Sequence, residues 1–160
     1  MGMRTSTSVA SHQRRHLLIA IAGASLLPAT ASAHATPLVE VWKSPTCGCC
    51  NDWITHLKAN GLQVKAYDTG NAPKRSELGL PPKLASCHTA KIEGYVVEGH
   101  VPAREIHRLL RERPAALGLA VPGMPLGSPG MDGEAFDHKT EPYNVLLVLR
   151  DGATRVFQAY

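Results

Sequence analysis

The apolar positions follow two periods along the chain. Leu38-Val39-Glu40-Val41-Trp42 is a short, β-branched apolar run and predicts a first strand. After the turn Lys43-Ser44-Pro45-Thr46, the residues Cys50, Trp53, Ile54 and Leu57 recur at i, i+3, i+4 and i+7. That spacing puts them on one face of a helix running to about Ala59. Thr46 reads as the N-cap and Asn60-Gly61 as the stop. Leu62 to Tyr67 then alternates as a second strand. The opening is β-α-β, with a cysteine motif at the strand-to-helix junction.

Further along, Pro73 to Leu78 suggests a short helix closed by Gly79 and Pro81-Pro82. Ala90–Glu93 and Tyr95–Glu98 flank Gly94 as short strands. A helix is expected from Pro102 to about Arg113, with Ile106, Leu109 and Leu110 inward. Residues 114–142 show no period and hold five Pro and five Gly. A long Gly/Pro loop of this kind is usually functional or disordered. Tyr143–Leu149 and Thr154–Phe157, around Asp151-Gly152, predict a C-terminal β-hairpin. Mixed helices and strands in this order suggest a small α/β sandwich.

Composition changes the picture only after the first segment is set apart. The 160 residues are 44% hydrophobic, which excludes a wholly disordered chain. The formal charge of +4 and the sequence pI near 9.0 invite a nucleic-acid reading. Residues 1–33, however, carry Arg4, Arg14 and Arg15, no acid, an apolar run Leu17–Leu27, Pro28 and Ala31-Ser32-Ala33. These are the parts of an export signal peptide cleaved after Ala33. The apolar run is shorter than the roughly 20 residues a membrane span needs. Gln13-Arg14-Arg15-His16-Leu17-Leu18 also matches a degenerate twin-arginine signal. Residues 34–160 then form a single domain with 14 basic and 13 acidic residues, a charge of +1. The nucleic-acid reading loses its support. The expected location is the periplasm, without stable membrane insertion after cleavage, and there disulfides persist.

The chemistry is concentrated in Cys47-Gly48-Cys49-Cys50. Three thiols at a helix N-terminus meet unpaired amides and the helix dipole, which favour the thiolate. Thiolates so close repel one another, so a soft cation, protons or a disulfide must neutralise them. Cys87 lies just after the second proline turn, where loops at one end of the sheet converge. Soft sulfur ligands suit copper(I), zinc or iron–sulfur clusters. A triplet plus a single Cys fits a small polynuclear copper(I)–thiolate site better than one tetrahedral zinc. Two other readings remain: structural disulfides, and a thiol–disulfide oxidoreductase with Cys47 as nucleophile and Cys50 as resolving thiol. His88, next to Cys87, and the thioethers Met124 and Met131 are auxiliary ligand candidates. His56 and His107 read as solvated on polar helix faces. His34 would stand at the mature N-terminus, where amine and imidazole can capture copper(II). His100 and His138 carry no spacing signal.

Four segments together resemble the CopG-like copper-resistance proteins of the periplasm, a metal-binding family with a thioredoxin-like domain. They are Lys43-Ser-Pro-Thr-Cys-Gly-Cys-Cys50, Ser86-Cys-His-Thr-Ala90, Glu93-Gly-Tyr-Val-Val-Glu-Gly-His-Val-Pro102 and Val121-Pro-Gly-Met-Pro-Leu-Gly-Ser-Pro-Gly-Met131. The resemblance covers about Val39 to Phe157. It is not to the ribbon-helix-helix repressor of the same name. It implies a thioredoxin-like α/β fold and copper binding through Cys47, Cys49, Cys50 and Cys87. It also implies a role in copper handling, linked to copper(I)/copper(II) redox. For an exported copper(I)-binding protein, exchange of electrons or copper with other periplasmic copper-handling proteins is the expected partnership.

Overall fold

The computed structural model describes residues 1–3 and 36–160, and residues 36–160 belong to one compact unit. The apolar run and cleavage site expected of a leader, and His34, lie outside the described residues. The unit opens with strand β1 (Leu38–Lys43), helix α1 (Gly48–Ala59) and strand β2 (Gln63–Tyr67). It continues with α2 (Ala72–Glu77), β3 (His88–Ile92), β4 (Tyr95–Glu98) and α3 (Ala103–Glu112). It closes with β5 (Gly118–Ala120), β6 (Asn144–Val148) and β7 (Thr154–Ala159).

The strands form one sheet in the order β2-β1-β3-β4-β5-β6-β7. β1/β2 and β4/β5 are parallel and the other neighbours are antiparallel. Parallel pairs need a crossover, and α1 and α3 supply the two crossovers here. β1 buries Val39 and Val41 on the face where Trp53, Leu57, Ile106 and Leu109 pack. The opposite face, at β4 to β6, is covered by Leu80 and Leu84 from the turns after α2. The α/β fold is thioredoxin-like, as expected, with β6 and β7 as the C-terminal hairpin.

Three local expectations change. The N-cap of α1 is Cys47, not Thr46, and no side chain caps it. The Thr46 hydroxyl lies 3.2 Å from Ser44 Oγ, so it serves the preceding turn. α3 starts at Ala103, with Pro102 in extended conformation as its N-cap. Within the stretch read as an unbroken Gly/Pro loop, Gly118–Ala120 is a strand and Glu134–Phe136 a 3-10 turn. Gly118 stands where any Cβ would overlap the Val96 carbonyl, so a glycine lets β5 approach β4.

Candidate metal centre

The first turn of α1 carries Gly48, Cys49 and Cys50, directly after the Cys47 cap. Cys50 is fully buried on the inner helix face with Trp53 and Leu57. Cys47 and Cys49 are half-buried. Cys87 precedes β3, and the register sets His88 opposite Lys43 at the end of β1. Sheet pairing therefore delivers Cys87 to the cysteine turn. The four sulfurs lie within 4.8 Å of one another. Cys47 and Cys50 form a disulfide, while Cys49 and Cys87 are free thiols. Cys49 Sγ is 3.5 Å from Cys47 Sγ and 4.0 Å from Cys87 Sγ, and Cys50 Sγ is 3.5 Å from Cys87 Sγ.

Two imidazoles face Cys87. His100 Nε2 is 3.0 Å and His88 Nδ1 3.3 Å from its sulfur. His100 Nδ1 is 2.9 Å from the Pro129 carbonyl, which can only accept, so Nδ1 carries the proton. Nε2 then turns a lone pair toward Cys87, and the thiol donates to it. His88 is fully buried, with ring centroids 4.2 Å from Trp53 and 4.9 Å from His100. Its Nε2 has no hydrogen-bond partner. Burial, then the neighbouring His100, holds its pKa down at about 3. Burial also lowers His100. Burial, with the adjacent Cys49 second, pushes the Cys87 thiol up to about 12. The group is therefore neutral at pH 7, and a bound cation would reverse the Cys87 preference by favouring thiolate. Cys87, His88 and His100 also form a donor group of their own within 4.8 Å.

Residues 128–131 rest on this centre. Gly130 has φ +86°, and a Cβ there would stand 2.6 Å from the Cys49 carbonyl oxygen and 2.8 Å from Trp53 N. No other residue lets the backbone lie so close on the first turn of α1. Met131 is buried in this turn, whereas Met124 is 51% exposed. The structure thus brings Cys47, Cys49, Cys50, Cys87 and His88 together, seats Met131 in the covering turn and leaves Met124 at the surface.

His100 is the residue that sequence reasoning missed. A signal for it existed. β3 and β4 pair Thr89 with Glu98 across the Glu93-Gly94 turn, so His88 and His100 flank the open end of one hairpin. His56 is not solvated, as its position on the polar face suggested. Its Nε2 accepts the Ala103 N–H at 3.1 Å, serving the otherwise unpaired amide at the start of α3. His107 is half-buried and its Nε2 lies 2.9 Å from the Asn60 carbonyl, so it too is held rather than free.

Comparison with known proteins adds three findings. Residues 84–131 match a family model described as "Protein of unknown function, DUF411". This segment runs from just before Cys87 to Met131. No curated protein matches the chain. Two solved structures, "Copper resistance protein copG- Form 2" and "Copper resistance protein copG- Form 1", are each 42% identical with a TM-score of 0.72. Each match covers 79% of this chain, and 99% and 98% of the respective solved chains.

Proposed function

Since the chain belongs to the CopG-like family of copper-resistance proteins, we propose that it is a periplasmic copper-binding protein that holds copper(I) through Cys47, Cys49, Cys50 and Cys87. The observation that carries this reading is the four sulfurs within 4.8 Å of one another, drawn from two separate segments of chain. A donor set of thiols alone is soft, and soft donors select copper(I) over the harder divalent ions. Four sulfurs so close serve better as bridges in a polynuclear cluster than as separate sites. His88 and His100 supply imidazole nitrogens at the rim, which suit copper(II) and support cycling between the two oxidation states. Met131 is an auxiliary thioether in the covering turn, and the exposed Met124 is an outer one. The leader over residues 1–33 supports export to the periplasm, where other copper-handling proteins would exchange copper with this one. Among the described residues no helix is long and apolar enough to cross a membrane.

Copper(I) binding by all four thiolates requires the Cys47–Cys50 disulfide to be reduced first. The test is copper analysis and X-ray absorption on protein loaded with copper(I) under reducing conditions. The expected result is more than one copper per chain, in a sulfur-dominated shell, lost in the Cys47/Cys49/Cys50/Cys87→Ser variant. Equal copper(I) binding by that variant would sink the proposal.

The disulfide itself favours a second reading, a thiol–disulfide oxidoreductase using Cys47 and Cys50. Insulin reduction by metal-free protein separates the two. Activity abolished in Cys47→Ser but kept in Cys87→Ser would favour the oxidoreductase.

A further inference from the structure

The last residue of β4, Glu98, is a fully buried carboxylate that touches none of the sulfurs. Its Oε1 accepts the Ser86 N–H at 2.7 Å and Arg75 Nε–H at 3.0 Å. Its Oε2 accepts the Thr89 hydroxyl at 2.6 Å. Arg75, from α2, also donates through Nη2 to the Ser86 carbonyl at 3.2 Å. Asn71, the N-cap of α2, donates to the same carbonyl at 3.1 Å. The backbone of Ser86 and the side chain of Thr89 thus bracket Cys87-His88, and both are tied to one carboxylate. Burying a charge is costly, by several kcal/mol, unless it is paired and fully hydrogen-bonded. Here three donors, one of them the Arg75 guanidinium, meet that requirement. A fold that needed only a filled core would place an apolar side chain at this position.

We propose that Glu98, braced by Arg75, is a positioning residue for the metal centre: it clamps the Ser86–Thr89 segment so that Cys87 Sγ meets the three sulfurs at the start of α1. The clamp is specific to one of the two segments that build the centre. Cys47, Cys49 and Cys50 are set by the helix itself, whereas Cys87 stands on a connection between a 3-10 turn and a strand. Such a connection has no intrinsic geometry of its own, so its register must be imposed from outside. Ser86 Oγ also donates to the Gly123 carbonyl, and the Gly123 N–H donates to the Ala85 carbonyl at 3.0 Å. The clamped segment is therefore also the anchor for the loop that leads to Gly130.

This inference rests on the four-thiolate reading, and the experiment separates the two. Copper(I) affinity is measured by competition with a chromophoric chelator on the full, reduced chain. The variants are Glu98→Ala, Arg75→Gln, Cys87→Ser and each clamp variant combined with Cys87→Ser. Loss of an outer group that orients a ligand typically weakens binding by roughly 10–100-fold, and that range is expected for Glu98→Ala. A smaller loss in the same direction is expected for Arg75→Gln, which keeps Glu98 in place. In the Cys87→Ser background neither change should weaken binding further, because the clamp then has no ligand to position. A clamp that only supported the fold would cost the same factor in both backgrounds, and that outcome overturns the inference. Wild-type affinity in Arg75→Gln overturns it too, and this variant decides the matter if Glu98→Ala does not fold. Wild-type affinity in Cys87→Ser would fell the four-thiolate reading and the clamp with it.

Discussion

Trp53 shows how much one side chain can couple. It is fully buried, its Nε1–H donates to the Val101 carbonyl at 2.8 Å, and its ring lies against His88. It therefore joins α1 to the His100 segment and to the Cys87 segment at once. In Trp53→Phe the ring volume is largely kept, but the Val101 carbonyl is left without its donor. An unsatisfied buried acceptor costs about 1–3 kcal/mol, and urea denaturation should show a loss of that size. An unchanged urea midpoint would mean that water or another donor replaces the indole. Spacing identifies Trp53 as an inner-face residue. Its partners, His88 and Val101, lie 35 and 48 positions away and only become neighbours through sheet pairing. The same holds for His56, whose place on a polar helix face says nothing of the Ala103 amide it caps.

Among the elements, β1, α1 and β2 are legible because each buries one face and shows the matching period. The cysteine turn is legible with them, since it sits where the period changes. β5 is not legible. Gly118-Leu119-Ala120 is three residues long, without alternation and with two poor strand formers. It is a strand because β4 and β6 offer unpaired backbone on either side, Val96 and Glu98 pairing it in parallel and Leu146 to Val148 antiparallel. Replacing Gly118 tests this. Gly118→Val drives a branched side chain into the Val96 carbonyl, and the neighbouring backbone has no room to yield. A loss of about 3 kcal/mol or more is expected, at the upper end for overpacking. Circular dichroism and urea denaturation would read it. A variant as stable as the parent would show that β5 can separate from β4 without cost.

For the molecule as a whole, the buried imidazoles set a pH dependence. Burial holds His56, His88 and His100 below the ordinary value of 6.5. Near and below pH 6.5 the unfolded chain therefore takes up protons that the folded chain refuses. Stability is fully present above that pH and falls as the pH drops through it. Glu98 acts with the opposite sign, because burial raises its carboxyl above the usual 4.5. The clean measurement is the difference between wild type and His56→Gln, without added metal. Between pH 7 and pH 5 the variant should lose less stability than wild type, because Gln cannot be protonated. Coincident slopes would show that His56 is not held neutral. The chain's own pattern determined the β-α-β opening, the hairpins, and the choice of soft thiol chemistry. Those features depend on local periodicity and on residue type, which neighbouring positions express directly. Only the tertiary structure decided that His88 packs on Trp53, that residues 128–131 cover the first turn of α1, and that Arg75 of α2 braces Glu98. These are contacts between distant elements, set by strand register and close backbone approach, and no local pattern encodes a register.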